Sequence, residues 1–339
     1  VAVTSAAGHT AQAVTEGAQV IEERVPIEQV MQIFLRKPGF LLNRIDQIAN
    51  ALYGALAECD ETLPQAEMVL AIAGREGSDQ VGLARACGID TSTTAIILDN
   101  LEMTGLVARV QDARDRRRSL PVLTEVGFAR LPAIRASFEA LQAELLCPLE
   151  PAMVTSLLEQ LVLIVESGND SAPRWDREGS PLADAPSMLF RRALQISHAR
   201  FNAEVAPIPV TLRQFSALVI LNLHPALSQV DFARVYGLDP STCAVVLKKL
   251  AARGLLRTVP SEQDKRKTLY FVTEEGRRQI GVLQACADRS EAFALADLSA
   301  QSFEKLLPPL QAVARQHSPR LRYPGSLPWD DAAPRNTID

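Results

Sequence analysis

The sequence predicts a mainly α-helical chain with small β-wings, arranged as two tandem winged helix-turn-helix domains. Three observations predict it: an internal repeat, apolar residues at helical spacing, and one short apolar–polar–apolar hairpin pattern in each copy. The repeat is the strongest. Residues 83–107 (LARACGIDTSTTAIILDNLEMTGLV) align without a gap on 232–256 (FARVYGLDPSTCAVVLKKLAARGLL) at a constant offset of 149. The same offset joins Gln65 to Gln214, Gly88 to Gly237, Asp90 to Asp239, Gly105 to Gly254, Asp115 to Asp264, Thr124 to Thr273 and Gly127 to Gly276. Upstream, FLLNRIDQ from Phe40 matches MLFRRALQ from Met188 with the offset smaller by one, as a one-residue insertion or deletion near 58–62 would produce.

The elements of one copy follow in order. Residues 39–58 carry apolar positions at helical spacing and predict a long first helix; 64–74 predict a second. A short third helix over 79–86 ends at Gly88, a natural C-cap. Asp90 or Thr91 then caps a fourth helix that closes at Gly105 and sets Ile97, Leu98 and Leu101 on one face. The third and fourth helices, joined by CGID, have the helix-turn-helix form. LVARV, QDARDRRRS and LPVL then read as strand, polar tip and strand, which is a wing. Helices over 124–146 and 150–166 close the copy. The second copy repeats the series, with a wing of LLRTV, PSEQDKRK and TLYFV and closing helices near 274–297 and 300–316. The expected organisation is an N-terminal extension (1–36), a first domain (37–167), a linker rich in Pro, Gly, Ser and Asp (168–186), a second domain (187–317) and a loosely held Pro-rich tail (318–339).

Composition bounds the function. The chain has 339 residues, 47% hydrophobic and 22% charged, enough for two globular domains. A net charge of -5 argues weakly against nucleic acid when taken alone, but a basic patch can sit on an acidic protein. Five scattered cysteines without a CxxC pair fit a reducing compartment. The N-terminus has no basic start or long apolar run, so neither a signal peptide nor a membrane span is expected, and the cytoplasm is the expected location. No Gly-rich phosphate loop, GxSxG or HExxH is present, and an enzyme is not expected. His9, His198, His224 and His317 lack metal-ligand spacing, so no metal or other cofactor is expected. A thiol sensor near the first helix would be Cys59, whose neighbours Glu58 and Asp60 would raise its pKa.

The string 115-DRRRSLPVLTEVG-127, with its counterpart 264-DKRKTLYFVTEEG-276, resembles the signature of the MarR-type regulators. The stretches GIDTST…LDNLEMTGLV and GLDPST…LKKLAARGLL are similar to that family's recognition helix and its exit into the wing. The resemblance covers about 39–166 and 187–316. It implies a triangular dimer built on the first and last helices, here formed by the two copies of one chain as an intramolecular pseudo-dimer. A homodimer of tandem chains is the other assembly open to it. It also implies repression of nearby genes, relieved by a small aromatic, acidic or phenolic effector.

Double-stranded DNA is the expected partner. The wing tips are basic on an acidic protein: Arg114, Arg116, Arg117 and Arg118 in the first copy, Lys265, Arg266 and Lys267 in the second. A cation at a hairpin tip can enter a minor groove. Asp115 and Asp264 are read as orienting the adjacent arginines. The reading helices begin Thr91-Ser92-Thr93-Thr94 and Pro240-Ser241-Thr242-Cys243, small residues that can bond phosphate or touch base edges and otherwise serve as N-caps. Where relatives often carry Thr-Arg one turn in, this chain has Ala95-Ile96 and Ala244-Val245, so specificity is expected from thymine contacts, phosphates and wings. Differences between the two helices predict an imperfect palindrome with half-sites about one turn apart.

The effector pocket implied by the resemblance lies between the interface helices and a winged domain. Arg44 and Arg192, at matching places in the two first helices, suit a ligand carboxylate, and Tyr53 and His198 a phenol or carboxylate; interhelical bonding is the structural alternative for each. The competing function is a degenerate winged-helix module that binds another protein, for instance as an antirepressor. It is favoured by the missing arginines and disfavoured by the basic wings.

Overall fold

A computed structural model describes residues 24–58, 60–112, 115, 118–206, 208–294 and 300–329. Cys59 and the wing arginines Arg114, Arg116 and Arg117 lie outside the described residues. The first copy contains α2 (Pro38–Leu56), α3 (Leu63–Gly74), α4 (Gln80–Cys87), α5 (Thr91–Met103), β1 (Val107–Gln111), β2 (Ser119–Leu123), α6 (Glu125–Leu146) and α7 (Pro151–Gly168). The second contains α8 (Pro186–Glu204), α9 (Leu212–Leu223), β3 (Leu227–Ser228), α10 (Gln229–Tyr236), α11 (Pro240–Ala252), β4 (Leu256–Pro260), β5 (Thr268–Val272), α12 (Glu274–Ala294) and α13 (Ala300–His317). The sequence reading did not anticipate α1 (Ile27–Leu35) in the N-terminal extension, nor the two-residue β3. β3 is too short to show a period.

Two compact units are present, and they do not follow the repeat boundaries. One takes Pro38–Arg200 and Ser290–Leu321; the other takes its described residues from Val1–Lys37, Phe201–Arg289 and Arg322–Asp339. In the first unit the apolar helix α3 is the centre, with Leu63, Ala66, Met68, Val69 and Ala71 all buried. α6 packs against α2 and α3, and α13 lies along α2 and α7, so the last helix of the second copy rests on the first and last helices of the first. Leu306, Leu310, Val313 and Ala314 supply its buried stripe at helical spacing.

The segment after α7, expected as a linker, is packed instead. Trp175 is buried, and its indole N–H donates to the carbonyl of Ala86 at 3.0 Å, which also accepts from the Ser180 hydroxyl at 2.7 Å. Asn169 brackets the Trp175 backbone from both sides, donating to its carbonyl and accepting from its N–H. Pro181 meets the α-carbon face of Gly74, where an added Cβ would lie 2.9 Å from the proline ring. Loop-like composition hid this segment because its anchors are single residues without a period.

A charged cluster completes this core. Arg191 on α8 pairs with the buried Glu67 on α3 and donates to the Cys87 carbonyl. Burial pushes the carboxyls of Asp46 and Glu67 upward, and the Arg191 charge opposes it. The same burial pushes the Cys87 thiol up to about 12, so it is an inert packing residue.

In the other unit α1 supplies Val30, Met31, Phe34 and Leu35 to the core. Phe34 meets the edge of Tyr236, which stacks on Phe232 at 5.7 Å. His224 donates from Nδ1 to the Val25 carbonyl at 2.8 Å, while Val25 N–H donates to Leu223. The sheet order is β3-β5-β4, with Leu227 opposite Tyr270 and Leu256 opposite Val272. The tail, expected to be loose, is held as far as it is described: Ser326 N–H donates to the Val235 carbonyl. Ala226 occupies the left-handed region (φ 65°) where the first copy has Gly77 (φ 75°), a strain on the order of 1 kcal/mol. Among the described residues no single helix is long and apolar enough to cross a membrane.

Two substitutions test this core. Trp175→Ala should lower unfolding stability by about 3–5 kcal/mol in a denaturant titration, where a mobile linker would lose less than about 0.5. Arg191→Met should cost about 3–5 kcal/mol at pH 7 by stranding Glu67. Because the folded state holds that carboxyl above its unfolded value, the deficit should shrink as pH falls from 7 toward 4.5. A deficit independent of pH would place the loss elsewhere.

Candidate nucleic-acid interface

The turn of each helix-turn-helix closes on a glycine in the left-handed region, Gly88 after α4 (φ 59°) and Gly237 after α10 (φ 72°). The next residue but one caps the reading helix. Asp90 accepts from the Thr93 N–H and Asp239 from the Thr242 N–H, each at 2.8 Å. The hydroxyls of Ser92 and Ser241 donate to the same carboxylates at 2.5 Å. These bonds, the serine hydroxyl first, hold both carboxyls well below the usual carboxylate range. A brace joins the two helices of the motif: Gln80 donates to the Thr91 carbonyl at 2.9 Å and Gln229 to that of Pro240 at 3.1 Å. The sequence reading missed this pair, although the two glutamines stand 149 apart like the rest.

Of the expected helix-start residues, Thr91, Ser92, Thr93, Pro240 and Ser241 are exposed and Thr242 is half-buried. Thr94 and Cys243 are corrections. Both are buried, and Thr94 returns its hydroxyl to the Asp90 carbonyl. They lie three and four residues before Ile97 and Leu98, and before Val246 and Leu247, so helical periodicity turns them to the core. Phosphate contact at these helix starts is also narrowed, because Asp90 and Asp239 already place a carboxylate there. Ile96 and Val245 instead stand exposed on the outer stripes of α5 and α11.

Each wing is seated on the helix that follows it. Thr124 donates its hydroxyl to the Gly105 carbonyl (2.6 Å) and accepts from the Gly127 N–H; Thr273 does the same with Gly254 (2.7 Å) and Gly276. An added Cβ at Gly127 would collide with the Leu106 carbonyl oxygen, and one at Gly276 with that of Leu255. That close approach is the physical content of the Thr-x-x-Gly motif.

At the wing bases the cations find carboxylates of their own domain. Arg118 pairs with Asp79, the N-cap of α4, at 2.7 Å, and Lys267 approaches Asp231 on α10 at 3.9 Å. Asp264 accepts from the Arg266 backbone N–H at 3.0 Å, so it shapes the turn through the main chain where sequence reasoning had it orient the guanidinium. Its counterpart Asp115 accepts through its carbonyl from the Arg118 N–H. Lys265, Arg266 and Lys267 are exposed. The reading helices differ in charge. α5 presents Asp99 and Glu102, both paired with Arg109 at 2.5 and 2.8 Å, whereas α11 presents exposed Lys248 and Lys249.

All four expected effector residues lie in the first unit. Arg44 is buried, donates to Gln47 at 3.2 Å and sits 5.8 Å over the Phe40 ring. Tyr53 is fully buried and His198 half-buried. Arg192 is engaged by its own chain: it donates to the carbonyls of Gly88 and Pro173 and to the side chains of Gln195 and Asn169, and lies 5.8 Å from the Trp175 ring. Burial lowers its pKa to about 10, and Arg191 adds to this. A ligand carboxylate would have to displace these bonds. Arg191 and Glu67 went unnoticed in the sequence because their counterparts, Asn43 and Ser216, carry no charge.

A model described as MarR family matches residues 62–118, and a second MarR-family model matches residues 210–268. The HTH-type transcriptional repressor NicR of Pseudomonas putida is 28% identical over 112 residues, spanning 33% of this chain and 71% of NicR. The HTH-type transcriptional repressor Rv2887 of Mycobacterium tuberculosis is 28% identical over 128 residues, spanning 37% of this chain and 92% of its own length. Among solved structures, the PcaV transcriptional regulator of Streptomyces coelicolor, determined with its natural ligand, is 34% identical with a TM-score of 0.37, covering 40% of this chain and 94% of PcaV. Each copy of the repeat thus carries its own match, over the helix-turn-helix and the first strand and tip of the wing, and the chain belongs to the MarR family as a tandem, two-domain member.

Proposed function

We propose that the chain is a sequence-specific repressor of transcription that binds double-stranded DNA with both of its winged domains and is released by a small aromatic or phenolic acid. The observation that carries the reading is the doubling: both copies keep the braced reading helix with an exposed outer stripe and a wing seated by Thr-x-x-Gly. One chain then serves as a pseudo-dimer. The packing of α13 on α2 and α7 supports this, since it joins the last helix of the second copy to the first and last helices of the first within one compact unit.

Charge distinguishes the two reading helices. α11 carries exposed Lys248 and Lys249, which add phosphate affinity in the second copy, whereas α5 carries Asp99 and Glu102, both tied to Arg109. For the effector, the reading rests on Arg44, Tyr53, Arg192 and His198, and a carboxylate at Arg192 would displace the bonds its terminal nitrogens make to Gly88, Pro173, Gln195 and Asn169. An antirepressor reading draws on one observation, the acidic stripe of α5, and is weighed by the same experiment.

Titration of the protein against its own upstream region should give a specific shift whose log K falls linearly with log salt. Replacing Lys248 and Lys249 with alanine should weaken binding on every sequence and reduce the salt slope by about 2, roughly one for each phosphate no longer neutralised. A specific complex with no salt dependence, or none at all, would sink the repressor reading. Stoichiometric titration should saturate at one chain per operator, and saturation at two would assign the site to a dimer of tandem chains.

A further inference from the structure

The reading helices expose one branched aliphatic side chain each, at the same place. Both send their other branched apolar residues inward: Ile97, Leu98 and Leu101 on α5, Val246, Leu247 and Leu250 on α11. Ile96 and Val245 fall outside those buried faces and are 62% and 52% exposed. A single exposed aliphatic residue is ordinary. Here the position is held twice, 149 residues apart, by β-branched side chains in two helices that otherwise differ in charge along the same stripe. Each follows a small alanine, Ala95 or Ala244, and stands one turn after a capped serine, Ser92 or Ser241.

We infer that Ile96 and Val245 are specificity-determining residues that read the C5-methyl group of a thymine in the major groove, one in each half-site. This rests on the DNA-binding reading above and adds the base to it. The occupant follows from chemistry. An aliphatic branch offers no hydrogen bond, and the one apolar group on a major-groove base edge is the thymine methyl. β-branching holds χ1 nearly to one rotamer in a helix, so little side-chain freedom is lost on contact. The Lys248 and Lys249 ammonium groups beside Val245 suit a polyanionic surface and disfavour a basic protein partner. Isoleucine carries one more methylene than valine, so the first copy should discriminate more strongly.

The test uses the full chain and a duplex selected for tight binding from random sequence. Thymines are replaced one at a time by deoxyuridine, which deletes only the methyl. One position in each half-site should lose about fourfold in affinity, the equivalent of one buried methyl-sized group. Ile96→Ala should abolish that loss in one half-site and Val245→Ala in the other, while unfolding midpoints stay unchanged because both residues are exposed in helices that alanine favours. A flat deoxyuridine scan on a duplex that still binds specifically would overturn the inference and leave the DNA reading intact. So would a loss that persists in both alanine variants. Failure to select any duplex would overturn the DNA reading and the inference with it.

Discussion

A glycine α-carbon pressed against a carbonyl oxygen seats each wing on its helix. At Gly127 and Gly276 the start of the following helix comes so close to Leu106 and Leu255 that no side chain would fit. The threonine hydroxyl that caps the following helix bonds back to Gly105 or Gly254, two residues past the end of the reading helix. One junction therefore ties together the end of the reading helix, the first wing strand and the long helix beyond. The wing's aim depends on it, and so does the fixed step from reading helix to hairpin.

Around that shared junction the copies have taken different solutions to burial. In the first unit, the α4 end is covered by the Trp175 segment and by Arg191 and Arg192 from α8. Charges are buried there, and they persist because each guanidinium is met by a carboxylate, carbonyl or amide. In the other unit, α10 is covered by α1 through stacked and edge-on rings of Phe34, Phe232 and Tyr236. The two segments each precede the first helix of a copy, yet one covers with hydrogen bonds and the other with aromatic area. An identical-subunit dimer could not hold both solutions at once; duplication within one chain can.

Electrostatics divides the copies as well. Two cations of the first copy are neutralised locally, Arg109 by Asp99 and Glu102, and Arg118 by Asp79. The reading helices also carry their own anions at their starts. Outward on α5 are hydroxyl, aliphatic and carboxylate groups, and on α11 hydroxyl, aliphatic and ammonium groups. The surface offered to DNA is thus set less by the count of cations than by which of them have an internal partner.

The sequence by itself determined the duplication, the order of helices, the position of both wings and the family signature. Each of these is local or periodic: caps such as Asp90, left-handed glycines such as Gly88, and apolar spacing along α2 and α3 act within a few residues of themselves. Even Thr94 and Cys243 were legible as buried from their spacing to Ile97 and Val246, had that spacing outweighed their polarity. Tertiary structure alone decided that Trp175 anchors a segment of loop-like composition, that Arg192 serves its own chain, and that Arg191 meets Glu67. It also decided that the compact units cross the repeat boundary. Those outcomes depend on contacts between residues far apart in the chain, 124 positions in the case of Arg191 and Glu67. The same is true of the reading stripes: sequence showed that Ile96 and Val245 replace arginine-bearing positions, and only the packing of their neighbours inward left them facing out.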